Sequence, residues 1–168
     1  MNWIPFFSQT GSEIANIIEK TKIEPIFIVT NRKDFNFDER LKKYNILFFN
    51  NFKELVKIKN ILLDSVVTLH GFLKIIPSYL ITENMYNGHP GLITKYPELK
   101  GFNPQEKAFN LNLKTSGSVI HRVVEEVDSG AIILENEVSI ENLNLDEVYI
   151  KLKENSLDLW IKFFKGIK

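Results

Sequence analysis

The sequence predicts an α/β fold in a single domain, residues 1–168: a mostly parallel central sheet, antiparallel strands toward the C-terminus and a closing helix. Three observations carry that expectation. Short runs of β-branched and aromatic residues recur at roughly 20-residue intervals with helical segments between them, which is the pattern of repeated βα units with right-handed crossovers. Two further strand-like runs then follow one another closely, as antiparallel neighbours do. The last long stretch repeats its apolar residues at helical spacing. With 168 residues and 44% apolar content, the chain encloses one sizeable core.

The elements follow in order. Trp3-Ile4-Pro5-Phe6-Phe7 reads as a strand, Ser8-Gln9-Thr10-Gly11-Ser12 as a polar turn, and residues 13–20 as an amphipathic helix. Two readings of the turn stay open. Its free backbone N–H groups can bind a phosphate or carboxylate, or Ser12 can cap the helix while Glu13 compensates the helix dipole. Residues 25–30 form a continuous apolar run expected of a strand buried on both faces, and residues 31–38 break it. A short helical segment at 39–43, a buried strand at 46–49, a helix at 52–58 and a strand at 65–70 complete the parallel half. Ligands in such sheets sit beyond the carboxyl ends of the strands, which places the turn at Gly11, the loop 71–77 and the segment 87–89 on one rim.

That last segment, Asn87-Gly88-His89-Pro90-Gly91, is where chemistry is expected. Side chains two apart on an extended chain leave from the same face, so one reacting group can meet the Asn87 amide and the His89 imidazole together. Pro90 holds His89 in extended geometry. By itself Asn-x-His-Pro is a weak motif, since a histidine at a strand end is often only a structural hydrogen-bonding residue. Residues 104–110 then read as a short helix with Pro104 in its first turn. An alternating strand at 117–124 leads into the acidic loop 125–130, a second strand spans 131–140, and an amphipathic helix at 145–164 places Leu145, Val148, Leu152, Leu159 and Phe163 on its packing face.

Composition narrows the function classes. Basic and acidic residues balance at 21 each, so no net field favours nucleic acid or an anionic membrane as partner. Cysteine is absent, which removes disulfides, thiolate nucleophiles and cysteine-ligated metals. The three histidines are irregularly spaced, and no metal is expected. The N-terminus has neither a basic lead-in nor a long apolar run, and the chain has no run of about 18 apolar residues, so a cytoplasmic protein is the expectation.

Four ordered motifs, NGHPGLITKYPELKG from Asn87, GSVIH from Gly117, EEVDSGAII from Glu125 and EVSI from Glu137, together resemble the folate-dependent formyltransferases, the family that includes glycinamide ribonucleotide transformylase. SQTGSE after the first strand, Thr30-Asn31-Arg32 and the loop 71–77 extend the resemblance over nearly the whole chain. It implies a formyltransferase-like, Rossmann-type domain that passes the formyl group of 10-formyltetrahydrofolate to a primary amine, as in one-carbon metabolism and purine biosynthesis. Asn87 and an imidazolium on His89 would donate to the developing oxyanion. Asp128 would orient His89, favour its charged form, and receive through water the proton leaving the amine. The folate ring would lie between Leu73, Lys74, Ile75 and Ile76 and the loop bearing Val124, Glu125 and Val127. Residues such as Ile75 and Ile76 also read simply as core. His121 would support the site from behind or serve as a satisfied core histidine, and Val119 stands where the family often has threonine.

The resemblance also matches Gly11, Ser12 and Glu13 to the Gly-Ser-Asn turn that binds the substrate phosphate in the ribonucleotide enzymes. A carboxylate there repels phosphate unless it is turned away or paired. Glycinamide ribonucleotide is the expected acceptor, and an amino sugar or modified nucleotide is the alternative. Formylation of methionyl-tRNA and hydrolytic deformylation are disfavoured, because the expected C-terminal and N-terminal domains of those enzymes have no counterpart in the sequence. From another class, a non-catalytic relative that only binds folate or a nucleotide also fits.

Overall fold

The computed structural model describes residues 1–34 and 36–167. The described elements form one seven-stranded sheet with spatial order β3-β2-β1-β4-β5-β6-β7. Strands β1 (Trp3–Phe7), β2 (Ile28–Thr30), β3 (Ile46–Phe48), β4 (Val66–His70) and β5 (Met85–His89) run parallel. Strands β6 (Thr115–Arg122) and β7 (Ile132–Ser139) are antiparallel to their neighbours, as expected from their short connection. Helices α1 (Ser12–Thr21) and α4 (Leu145–Gly166) pack on one face with Trp3, Phe7, Ile120 and Trp160. The other face buries Ile4, Phe6, Val67, Leu69 and Met85 beneath the connections that carry α2 (Lys59–Leu63). A third cluster joins the loop after β5, α3 (Pro104–Asn110) and the first half of α4 through Leu92, Leu99, Ala108, Val148 and Leu152.

Several local expectations need correction. The run 25–30 becomes regular strand only at Ile28: Pro25 has no N–H to donate, and ahead of the strand Ile26 makes a bond to the Trp3 carbonyl. The 46–49 run is an edge strand rather than a buried one, with Phe48 at 38% exposure. Residues 52–58 coil as a 3-10 helix, closed by an Asn51/Glu54 capping box, before the short α2 begins. Residues 39–41 make a single 3-10 turn capped by Asp38. Strand β6 starts at Thr115 and ends at Arg122, earlier than alternation alone suggests, because Val123 turns to pack among the buried residues under β4 and β5. Ser12 does not cap α1. The capping position is Gly11, whose φ of 69° suits glycine, and Ser12 is the first helical residue.

Register brings the sites together. Phe7 pairs with His70, and Leu69 pairs with Asn87, so the ends of β1, β4 and β5 share one rim. Strand β6 runs the other way, with Arg122 opposite Tyr86, so the loop after it leaves the sheet low and folds back up across the face beside β5.

Candidate active site

Asp128 is the hub of that returning loop. Its Oδ2 accepts from the Gly101 backbone N–H at 2.9 Å and lies 3.3 Å from His89 Nδ1. Its Oδ1 lies 3.3 Å from His121 Nε2 and accepts from Asn87 Nδ2 at 3.4 Å. The three residues singled out from the sequence, Asn87, His89 and Asp128, therefore converge. His121 and Gly101 join them, and Asp128 is only 8% exposed.

Local backbone chemistry explains the convergence. Asp128 adopts φ 52°, in the left-handed region that aspartate tolerates better than most side chains, at a cost of about 1–3 kcal/mol that its contacts offset. Gly130, two residues on, lies against β6 so closely that a Cβ would sit 1.8 Å from the Arg122 carbonyl oxygen. Lys100 Nζ donates to Ser129 Oγ at 3.0 Å and ties this loop to the one after β5. Gly130→Ala is accordingly expected to displace the loop, lowering stability by about 1–3 kcal/mol and activity with it, as read by a thermal melt and an activity assay on the same preparation. A parent-like melting temperature would show that the loop docks without this approach.

Protonation follows from the contacts. His121 Nδ1 lies 2.8 Å from the Arg122 carbonyl oxygen, and its Nε2 lies 3.2 Å from the Asn87 amide nitrogen and 3.3 Å from Asp128 Oδ1. His89 Nε2 donates to the Leu99 carbonyl at 2.8 Å, so its Nδ1 is the atom facing Asp128. Burial pushes the His89 imidazole below its ordinary value, outweighing the charge of Asp128 and the Leu99 carbonyl, which act the other way. Asp128 is held at about 2. Burial opposes its ionisation, but the His121 contact, the His89 ring and the Gly101 N–H together prevail.

Both shifts make acid destabilising. Unfolded chains take up a proton near pH 6.5 that the buried His89 refuses, so stability falls as pH drops below that value. Asp128 contributes about 2 kcal/mol that is intact above its unfolded value of 3.8 and gone once pH passes about 2. Urea unfolding between pH 8 and pH 2 should show a plateau, a decline below about pH 6.5, and a further loss below about pH 4 that is absent in Asp128→Asn. An identical decline in both proteins would detach Asp128 from it.

The other residues anticipated from the sequence divide. Leu73, Ile75, Val124 and Val127 are 53%, 70%, 43% and 47% exposed, so two loops offer apolar side chains to solvent. Lys74 and Glu125 are exposed beside them. Ile76 is corrected to core: at 5% exposure it packs with Leu80 and Met85 behind the wall. Gly11, Ser12 and Glu13 lie on the same rim across the sheet, and Glu13 is paired rather than free. His70 Nδ1 donates to its Oε2 at 2.8 Å and Ser156 Oγ to its Oε1 at 2.6 Å. Sequence reasoning missed both partners, although a histidine ending a predicted strand on the same rim was the available signal. Among the described residues no group of three or more His, Asp or Glu side chains is arranged to hold a metal ion, and no helix is long and apolar enough to cross a membrane.

Comparison with known proteins places this arrangement. A model of the formyl transferase family, "Formyl transferase", matches residues 1–159. The chain belongs to that family. Phosphoribosylglycinamide formyltransferase of Escherichia coli is 26% identical over 159 residues, covering 83% of this chain and 74% of that protein. Methionyl-tRNA formyltransferase of Thermotoga neapolitana is 34% identical over 84 residues, which is 49% of this chain and 26% of that enzyme, so the chain spans about a quarter of the latter's length. The crystal structure of phosphoribosylglycinamide formyltransferase from Streptococcus pneumoniae superposes with a TM-score of 0.85 at 23% identity, covering 99% of this chain and 98% of that one. Membership in the formyl transferase family accounts for the mixed sheet, with its antiparallel C-terminal strands and closing helix.

Proposed function

We propose that this chain transfers the formyl group of 10-formyltetrahydrofolate to a primary amine. The supporting observation is the gathering of Asn87, His89 and Asp128, from two segments 41 residues apart, around one point on the sheet. As the amine attacks the formyl carbon, a C–N bond forms and the carbonyl oxygen becomes an oxyanion, which the Asn87 amide and the His89 ring stabilise by hydrogen bonding. In the resting site both donors are engaged, Asn87 by His121 and Asp128, and His89 Nε2 by Leu99. Substrate exchanges those contacts for its own. The proton lost by the attacking nitrogen passes through water to the neutral His89, because a carboxylate as acidic as Asp128 holds a proton poorly. Asp128 stabilises the imidazolium so formed. The proton is then returned to the folate nitrogen as its bond to the formyl carbon breaks.

Two loops frame the donor's place. Exposed apolar side chains at Leu73, Ile75, Val124 and Val127 suit the faces of a flat heterocycle, and the backbone around Lys74 and Glu125 can hydrogen-bond its edge. Glycinamide ribonucleotide is the acceptor suggested by the relatives' names. An amino sugar or other phosphate-free amine is the second reading, favoured by the carboxylate of Glu13 in the first turn.

The test is incubation with 10-formyltetrahydrofolate and a panel of amines that includes both acceptor types, following the appearance of tetrahydrofolate. Amine-dependent release is expected. Folate analogues that raise the melting temperature, with no release for any amine, would reduce the chain to a binder; a ligand at 100 times its dissociation constant stabilises by about 2.7 kcal/mol.

A further inference from the structure

Glu13 occupies the second position of α1, where free backbone N–H groups and the helix dipole would otherwise attract an anion. Its carboxylate is held from two sides, by His70 on β4 and by Ser156 on α4. The chain of bonds behind His70 is complete. The Trp3 indole N–H can only donate, and it does so to Thr68 Oγ1 at 2.7 Å, which leaves the threonine proton free for His70 Nε2 at 2.8 Å. The ring's remaining N–H, at Nδ1, then goes to Glu13. Every side-chain polar atom of the run Trp3, Thr68, His70, Glu13 and Ser156 thus has a hydrogen-bond partner.

This cluster adjoins the proposed reaction site. Leu69 pairs with Asn87, which puts His70 one strand spacing, about 4.8 Å, from the β5 backbone at Gly88. The indole of Trp160 bridges the gap. It lies 4.5 Å from the His70 ring, centroid to centroid, and a Cβ on Gly88 would meet its Nε1 at 2.6 Å. An acceptor at Asn87 and His89 that extends over the rim at Gly88 would approach Glu13 from the other face. The Glu13 side chain is 21% exposed, enough to touch it, while that of His70 is 1% exposed. Arg32, the cation of the neighbouring loop, is already engaged by Asp34 and the Gln9 carbonyl and does not offset Glu13.

We propose that Glu13, locked by His70 and Ser156, selects a phosphate-free acceptor, reading hydroxyl or ammonium donors of a polyhydroxylated amine where a phosphate would otherwise bind. The inference rests on the formyl-transfer reading above. It assigns Glu13 to specificity rather than to the reaction itself. Carboxylates accept from hydroxyl pairs and ammonium groups. Even in water, a phosphate dianion about 6 Å from a carboxylate loses on the order of tenfold in affinity.

Glycinamide ribonucleotide and its dephosphorylated riboside form a matched pair of probes, differing only in the phosphate. Calorimetric titration of both into the parent and into Glu13→Gln, which preserves shape, tests the assignment without requiring turnover. The parent should bind the riboside at least as tightly as the ribonucleotide, and Glu13→Gln should shift the ratio tenfold or more toward the ribonucleotide. The kcat/KM ratio should move in parallel. A parent that prefers the ribonucleotide tenfold, an unchanged ratio in Glu13→Gln, or failure of the riboside to bind would each overturn it. Loss of the formyl-transfer reading is distinguishable, because it shows as no tetrahydrofolate release from any amine while the binding ratio still shifts.

Discussion

Asp128→Asn is expected to lower kcat by about 10³-fold, within the range of 10² to 10⁴ that positioned proton-transfer groups supply. The substitution keeps the shape and removes the charge that stabilises His89 once it has taken a proton. It also upsets the hydrogen bonding. An amide nitrogen placed at Oδ2 would oppose the Gly101 N–H, now 2.9 Å away, whereas the flipped amide would oppose the Asn87 Nδ2 at 3.4 Å. One mismatch remains in either orientation, so a modest loss of melting temperature should accompany the kinetic effect. Single-turnover formyl transfer at saturating folate separates the two. A rate within threefold of the parent would remove Asp128 from the chemistry.

His89→Ala should cost 100-fold or more in kcat, the usual consequence of losing one donor aimed at a developing oxyanion. Folate binding should survive, because the apolar walls at Leu73, Ile75, Val124 and Val127 belong to other segments. His89 is 5% exposed, and its loss also frees the Leu99 carbonyl that its Nε2 satisfies. Some destabilisation is therefore expected, and thermal shifts with a folate analogue show whether the fold and the donor site persist. A variant that transfers formyl at the parent rate would leave the imidazole a purely structural role.

The fold was largely legible, because β1 to β4 each contain an apolar run bounded by polar breaks and the α4 packing face repeats at helical spacing, whereas β5, with Asn87, Gly88 and His89 at its end, carries no such run. Strand ends were less so. Pro25 shortens β2, and Val123 leaves β6 for the core, effects that depend on neighbours remote in the chain. In the site, the spacing of Asn87 and His89 made only a weak motif, and the order of the four motifs is what singled them out together with Asp128. The Gly101 partner of Asp128 was not legible, because its N–H is a backbone group without a side-chain signature. The downward push on the His89 imidazole was equally hidden, since it is set by burial rather than by residue type. Glu13 stood out as a mismatch in the first turn. Only the packing of α4 against α1 shows that Ser156, 143 positions away, holds it.

Strand β5 is a seam, bonded to a parallel neighbour on one side and an antiparallel neighbour on the other. The amide and imidazole ride on the seam itself, while the acid is delivered by the hairpin beyond it. During synthesis the first five strands can therefore be laid down before the acid has been made at all, and the machinery closes only when the last hairpin docks. Partial opening of that hairpin would silence the site while the parallel half still stood, so catalytic integrity here reports on one small cooperative unit rather than on the whole molecule.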